Sequence, residues 1–208
     1  MFAFALSNIK ESKKMENKNK LNAKDLINVG IYTAISAVIC CAIAMTGVVP
    51  IMMVLLVVFV PILTGIPYMM FLTKVEKFGM ILILNTIMGA FMWITGMGIY
   101  PFIAGIISGI IAELIYRAGN YKSKWLGILA YAISGLYCWA NYLGIFFNVD
   151  KYFSTRQNFG QEYIDAVTKL LPMWMCPVLF VVDVGCGIIG GWIGTKVLKK
   201  HFEKAGIV

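Results

Sequence analysis

The stretch "FGMILILNTIMGAFMWITGMGIYPFIAGIISGIIAELIYRA", residues 78–118, is apolar along almost its whole length. About 20 helical residues, at 1.5 Å each, cross the roughly 30 Å hydrocarbon core of a bilayer, so this stretch is too long for one crossing. Within it, "TGMGIYP" at 95–101 supplies the glycine and proline residues that a turn needs. The sequence therefore predicts two membrane helices here, joined by a tight turn.

Four further apolar segments are each long enough for one crossing, at about 26–47, 50–72, 125–147 and 171–198. The second of the six predicted helices contains Pro61, Gly65 and Pro67, so we expect it to be kinked or broken. With 60% hydrophobic and 13% charged residues, the chain has too little polar surface for a soluble domain. The prediction is an all-α, polytopic integral membrane protein with six transmembrane helices.

The distribution of Lys and Arg predicts the orientation. Fifteen of the 18 lie before residue 26, at 73–77, at 117–124 or after residue 195, so both termini are predicted to be cytoplasmic. The other three lie in a predicted external loop at 148–170. The net charge of +8 is thus explained by topology, and no nucleic-acid partner is expected.

Two domains are predicted. Residues 1–22 form a basic cytoplasmic tail, and residues 23–208 form the six-helix membrane domain with the external loop 148–170. The basic segment that runs from Met15 to the first predicted helix is already typical of a cytoplasmic tail. Translation could therefore start at Met1 or at Met15.

Small residues mark helix interfaces in lipid, where they let helices approach closely. Three such stripes occur. One runs through Gly30, Ala34, Ala37 and Cys41 on the first helix, one through Gly105, Gly109 and Ala112 on the fourth, and one through Gly187, Gly190, Gly191 and Gly194 on the sixth. Asp183 lies on the same side of the sixth helix as its glycines, so we expect this carboxyl group to face protein.

Polar residues inside the helices have competing explanations. Asn85 is predicted to be structural, and Asn141, nearer the external end, could contact a ligand. Glu113 lies four residues before Arg117, which favours an ion pair within one helix. Asp183 could contact a cargo, could be a protonated acid bonded to a neighbouring helix, or could be an ion site.

The sequence contains no recognisable set of catalytic residues. Its single histidine, His201, lies in a basic segment, and the five cysteines lie in apolar segments without the Cys/His spacing of zinc sites. "GWIGTK" at 191–196 lacks the spacing of a phosphate loop. We predict no enzyme activity, no cofactor and no metal site, so active transport would need an ATPase partner or an ion gradient.

Aromatic residues cluster at the predicted external ends of the helices and in the 148–170 loop. Trp and Tyr form interfacial belts in any membrane protein, which accounts for part of the cluster. The rest could line a cavity for a flat, partly apolar ligand, with the loop folded over it as a lid.

Four segments carry a family resemblance: "KDLINVGIYTAI" at 24–35, "GIPYMMFLTKVEKFGM" at 65–80, "GQEYIDAV" at 160–167 and "KKHFEKAGIV" at 199–208. They resemble the MptD, or Trep_Strep, group of substrate-binding S components of energy-coupling factor (ECF) transporters. The resemblance implies a six-helix subunit of the bacterial cytoplasmic membrane that captures a micronutrient on the external side. It further implies docking onto a transmembrane coupling protein with two ATP-binding cassette ATPases.

The resemblance also implies roles for residues. S components commonly dock through an Ala-xxx-Ala pattern on the first helix, and the matching positions here are Gly30, Ala34, Ala37 and Cys41. The substrate-binding candidates are Trp93, Tyr100, Tyr137, Asn141, Arg156, Tyr163, Met173, Cys176 and Asp183. Aromatic density favours a vitamin-like heterocycle, a porphyrin or an iron chelate as cargo. The alternative is a stand-alone ion-coupled carrier or channel that uses Asp183.

Overall fold

The structure is a computed structural model that describes residues 20–154, 156 and 159–204, with side chains as far as residue 200. The described residues form α-helices and no strand. The helices are α1 Ala23–Ala44, α2 Pro50–Leu72, α3 Met80–Met92, α4 Tyr100–Ala118, α5 Lys124–Ser134, α6 Leu136–Phe147, α7 Val149–Ser154, α8 Gln161–Leu170 and α9 Met175–Lys204. A 3₁₀ turn, Met45–Val48, follows α1, and a π-helical turn, Trp93–Met97, follows α3.

Among the described residues, six helical segments are long and apolar enough to cross a membrane, which confirms the predicted number. Four consist of α1 with its 3₁₀ turn, α2, α3 with its π turn, and α4. The fifth, Lys124–Phe147, contains α5 and α6, and the sixth lies in α9. Helix starts follow the sequence: Asn22 and Asp25 form a reciprocal capping box at α1, and Pro50 occupies the first turn of α2.

The predicted turn within residues 78–118 is present. The π turn ends at two glycines with positive φ, Gly96 at 88° and Gly98 at 82°. This backbone conformation is unfavourable for residues with a Cβ, which explains why glycine stands at both positions. Pro101 then lies in the first turn of α4, where its missing N–H removes no helical hydrogen bond.

We expected a kink or a break in this helix, and α2 runs through Pro61 and Pro67 without a break, so only the kink stays a prediction. Neighbouring helices supply hydrogen bonds to its backbone. The phenol of Tyr131 donates to the Pro61 carbonyl, and the phenol of Tyr142 donates to the Met53 carbonyl over 2.7 Å. These two hydrogen bonds fix α2 against α5 and α6.

Glycines bring the helices into close contact. A Cβ on Gly190 would overlap the Pro61 carbonyl and lie 2.9 Å from Ile62 Cα, so only glycine fits where α9 meets α2. A Cβ on Gly105 would lie 2.7 Å from the Asn85 carbonyl oxygen, where α4 meets α3. The stripes on the fourth and sixth helices are therefore interfaces within the chain, as predicted.

The two ends of the bundle differ in chemistry. The basic end comprises the described residues at 20–25, 73–79, 117–124 and 195–200, and there Lys77 forms an ion pair of 2.7 Å with Asp25. The aromatic end comprises 45–49, 93–100 and the described residues of 145–174. The positive-inside rule assigns the basic end to the cytoplasm. The predicted basic tail lies almost wholly, and the two candidate start residues entirely, outside the described residues.

Candidate functional site

A helical cap covers the aromatic end of the bundle. Its described residues, within 149–170, form α7 and α8 rather than an irregular loop. Val167 is fully buried, and Tyr152 and Phe153 are nearly so, in a hydrophobic cluster with Met53 and Val57 of α2. The cap therefore packs onto the membrane helices as part of the folded core.

Side chains tie the cap to three parts of the bundle. The phenol of Tyr152 donates to Asn141 Oδ1 of α6 over 3.0 Å. The phenol of Tyr163 donates to the Gly47 carbonyl in the 3₁₀ turn. Arg156 lies 4.1 Å above the Tyr152 ring and donates to the sulfur of Met97 in the π turn. Polar contacts as well as apolar packing therefore hold the cap against the bundle.

The phenols of the cap stay protonated at neutral pH. Burial raises the pKa of Tyr163 to about 12, with a further increase from Tyr152 and a partial decrease from Arg156. Burial also raises the pKa of Tyr152, and Arg156 and Asn141 oppose part of that shift. Because only the protonated phenol can donate, both hydrogen bonds persist across the physiological range.

A small cavity of about 130 Å³ lies beneath the cap, between α1, α2, α3 and α6. Its wall is mostly apolar, with the Asn141 amide and the Thr95 hydroxyl among its polar groups. Five sulfur-bearing side chains also line it: Cys40, Cys41, Cys138, Met92 and Met97. The described residues contain no group of three or more His, Cys, Asp or Glu that could hold a metal ion. The cavity therefore suits a small, polarizable, largely apolar ligand.

The nine predicted substrate-binding residues do not share this cavity. Asn141 lines it, while Arg156 and Tyr163 hold the cap over it. Trp93 and Tyr100 line a separate groove of about 390 Å³ beside the π turn, and Met173 lines another groove of about 470 Å³.

The remaining three candidates are placed differently. Tyr137 is buried in the main hydrophobic core. Cys176 accepts a hydrogen bond of 2.9 Å from Trp139 Nε1 through its backbone carbonyl. Asp183 is 1% exposed, and neither of its carboxylate oxygens has a hydrogen-bond partner in the described structure. It faces protein, as predicted, at the point where α5 ends at Gly135.

The stripe on α1 differs from the other glycine-containing stripes. Gly30, Ala34 and Cys41 are exposed, and Ala37 is half-buried. A Cβ on Gly30 would meet no atom within 4 Å. The described residues therefore leave this stripe uncovered, although its sequence resembles the stripes that are buried.

The two other polar predictions have different outcomes. Asn85 accepts from the Ser134 hydroxyl over 2.6 Å and donates to the Ser134 carbonyl, an interhelical role like the one predicted. The ion pair predicted between Glu113 and Arg117 is wrong. Glu113 is fully buried and accepts from the backbone N–H groups of Ile81 and Leu82, because the first turn of α3 follows Gly79, which has no side chain to cap it.

A larger cavity, of about 800 Å³, opens at the basic end and was not predicted from sequence. Lys122, Lys124 and Lys199 line it, together with Glu76 and an apolar floor that includes Met69. Asn120 and Tyr121 form part of its wall with positive φ values of 50° and 57°. No motif in the sequence marks this cavity, because its wall combines three separate segments.

The fold and the site together define a polytopic α-helical membrane protein with a helical cap at its aromatic end and a mostly apolar cavity whose wall the cap contacts. The model of a family described as "Hypothetical bacterial integral membrane protein (Trep_Strep)" matches residues 23–204. The chain therefore belongs to the Trep_Strep family of bacterial integral membrane proteins. Comparison with curated proteins gives no match, and comparison with solved structures gives none either.

Proposed function

We propose that this protein is the substrate-binding S component of an ECF-type importer in the bacterial cytoplasmic membrane. The observation that carries the proposal is a cap at the aromatic end whose Tyr152 and Arg156 contact Asn141 and Met97, two residues that line a mostly apolar cavity. A folded cap that contacts the wall of a mostly apolar cavity is an arrangement expected of a protein that captures a small molecule. The resemblance noted above supplies the assignment to ECF transporters.

The volume of the cavity limits the size of the cargo. Ligand pockets commonly measure roughly 300–1,000 Å³, and the closed cavity measures about 130 Å³. Reaching the lower end of that range for a vitamin-like heterocycle needs an enlargement of about twofold, whereas a porphyrin or an iron chelate needs an enlargement of severalfold. We therefore favour the heterocycle, with the Asn141 amide as a hydrogen-bonding group and the apolar wall contacting the ring.

The exposed stripe on α1 is the proposed docking face for the coupling protein. Helices associate in lipid where small residues allow close approach, and Gly30, Ala34 and Cys41 offer such a surface. Ala37 borders it. The two cytoplasmic ATPases are proposed to supply the energy, since the sequence carries no ATP-binding motif.

Affinity capture of the tagged protein from membranes of its native host tests this proposal. We expect a coupling protein and two ATPases to co-purify with the wild type and to be lost with Ala34→Leu, which fills the stripe. Ile35→Leu is the matched control, because Ile35 is exposed on the same helix but lies about 100° away. Absence of the ATPases from the wild-type sample, or equal recovery with Ala34→Leu, would contradict the docking proposal.

A second candidate function is favoured by one observation. The buried, unpartnered carboxylate of Asp183 would suit an ion-coupled carrier that works alone. Uptake by the chain alone in proteoliposomes, driven by an ion gradient and lost in Asp183→Asn, would support this candidate and weigh against the first.

A further inference from the structure

The cavity of about 800 Å³ at the basic end, here called the basic cavity, lies where three membrane spans end. Its wall includes Leu72, the last residue of the second span, and Lys124, the first residue of the fifth. Leu198 and Lys199 of the wall lie in the last turn of the sixth span, which ends at Lys200. The basic cavity is therefore at the level where the hydrocarbon core of a bilayer meets the phospholipid headgroups.

An exposed tryptophan supports this placement. Trp125, the residue after Lys124, is 74% exposed. Tryptophan is enriched at the membrane–water interface, where its apolar ring contacts acyl chains and its N–H contacts headgroups or water. The first turn of α5, which contributes Lys124 to the wall, is thus placed at that interface.

The wall of the basic cavity carries more positive than negative charge. Lys122, Lys124 and Lys199 line it, and Glu76 is the acidic residue of the wall. Neither Lys122 nor Lys124 forms an ion pair with a described carboxylate. Two ammonium groups at the wall can therefore pair with an anion.

The start of α5 adds to this positive character. Helix α5 begins at Lys124, so the partial positive charge of its N-terminus lies in the wall. The Ser123 hydroxyl accepts from the Leu126 N–H over 3.4 Å and so pairs one of the N–H groups of the first turn. Helix N-termini bind phosphate groups through such N–H groups.

The loop that carries Lys122 is held in place by contacts with α4. Asn120 and Tyr121 have φ values of 50° and 57°, which are uncommon for residues with a Cβ. The Tyr121 phenol donates to a carboxylate oxygen of Glu113 over 3.4 Å, and its ring packs edge-on against Tyr116 at 5.5 Å. These contacts fix the loop, which keeps Lys122 in the wall.

The wall becomes apolar toward the interior of the bundle. Met69 of α2, Gly127 of α5 and Leu198 of α9 line this part. A soluble anion gains nothing from an apolar surface, whereas the acyl chain of a phospholipid does. Ammonium groups at the headgroup level and apolar side chains next to them match the order of phosphate and acyl chain in a phospholipid.

We propose that the basic cavity binds a phosphate group through Lys122, Lys124 and the N-terminus of α5, and that the bilayer supplies this group as the headgroup of an anionic phospholipid. The volume of the cavity is within the roughly 300–1,000 Å³ of ligand pockets. Basic pockets between membrane helices on the cytoplasmic side bind lipid headgroups in this way. The site is at the opposite end of the bundle from the proposed cargo cavity and does not depend on the proposed function.

Native mass spectrometry of the purified full-length protein in detergent tests the site. The protein is mixed with phosphatidylglycerol, with phosphatidylcholine or with phosphatidylglycerol and an equal concentration of inorganic phosphate. We expect one phosphatidylglycerol per chain, bound about tenfold more tightly than phosphatidylcholine and retained in the presence of phosphate. Lys122→Gln combined with Lys124→Gln should weaken phosphatidylglycerol binding about tenfold. Leu198→Trp, which keeps the lysines and fills the apolar part of the cavity, should weaken it to a similar extent.

Lys24→Gln combined with Lys200→Gln is the matched control, because both lysines are exposed at the basic end and neither lines the basic cavity. This variant loses the same charge and should keep the preference for phosphatidylglycerol. Equal binding of the two lipids by the wild type, or an equal loss in the control variant, would overturn the proposal.

Two further results would also overturn it. Displacement of the lipid by inorganic phosphate would assign the site to a soluble phosphate compound. Unchanged affinity in Leu198→Trp would show that the lysines act as an exposed patch and not as part of a cavity. The comparison of the two lipids uses the wild type alone, so the proposal stays testable if a variant does not fold.

Discussion

Tyr152 of the cap donates a hydrogen bond of 3.0 Å from its phenol to Oδ1 of Asn141, a residue that lines the cavity beneath. The same phenol lies 3.7 Å from the sulfur of Met97, which lines the cavity from the opposite side. One buried tyrosine thus joins the cap to two walls of the cavity. Movement of the cap and access to the cavity should therefore be coupled through Tyr152.

Tyr152→Phe should loosen the cap without unfolding the bundle. The substitution removes a hydrogen bond and leaves the Asn141 amide without this partner, a loss of about 1 kcal/mol. We expect amide hydrogen exchange in α7 and α8 to become about fivefold faster, with α2 and α9 unchanged. Tyr100→Phe is the matched control, since the Tyr100 ring packs against Phe147 and is partly exposed. Equal exchange in the two variants would contradict the role given to Tyr152.

The Tyr163 phenol should make stability depend on alkaline pH. Its pKa is about 12 in the folded protein against an ordinary value of 10, so the phenol ionises first in the unfolded chain. Its contribution to stability is therefore complete below pH 10 and is lost between about pH 10 and pH 12. Melting temperatures of the wild type and Tyr163→Phe, measured from pH 8 to pH 11.5, should converge above pH 10. A constant difference across that range would argue against the prediction.

Gly190→Ala should destabilise the contact between α2 and α9 severely. The added methyl group would overlap the backbone at Pro61 and Ile62, which cannot move aside as a flexible side chain can. Overpacking of this kind costs about 1–3 kcal/mol, so we expect the melting temperature to fall by about 5 °C or more. Gly30→Ala, at an open position on α1, should leave it unchanged. Similar melting temperatures for both variants would show that the close approach of α2 and α9 is incorrect.

Glu113→Ala should destabilise the bundle, while Arg117→Ala should have little effect. Glu113 accepts hydrogen bonds of 2.9 Å and 3.2 Å from Ile81 and Leu82, and its loss leaves these donors unpaired in the protein interior. Such a loss costs about 1–3 kcal/mol. Arg117 lies over the Phe78 ring at 5.4 Å and does not pair with Glu113. Thermal unfolding measures both effects. Equal destabilisation by the two substitutions would support an ion pair between Glu113 and Arg117 and contradict the prediction.

The membrane architecture could be predicted from the sequence because it depends on segment length, glycine and proline positions and charge distribution. The turn at Gly96 and Gly98 is an example. The continuity of α2 through Pro61 and Pro67 could not, because proline inside a helix locally predicts a kink or a break, and the packing of α2 against Tyr131 and Tyr142 joins residues distant in sequence. Glu113 is a similar case, because its partners are backbone N–H groups of another helix, α3, and not Arg117 in its own helix.

The site was only partly predictable. The aromatic density at 148–170 predicted a segment folded over the external end, and α7 and α8 pack there, while its action as a lid stays a prediction. Asn141 lines the cavity, and its contact with a ligand stays a prediction. The stripe of small residues around Gly30 and the stripe around Gly190 have the same periodicity in the sequence. The sequence alone therefore could not show that the first is exposed and the second is buried. Only the packing of the described helices separates a buried face from an exposed one.

The most direct test of the proposed function is uptake into proteoliposomes of the small molecule that mass spectrometry finds bound to the purified protein. We predict uptake only when the protein is reconstituted with its coupling protein and both ATPases and is supplied with ATP. We also predict that Ala34→Leu slows this uptake. Uptake of the same molecule by this chain alone, without ATP, would contradict the proposed function.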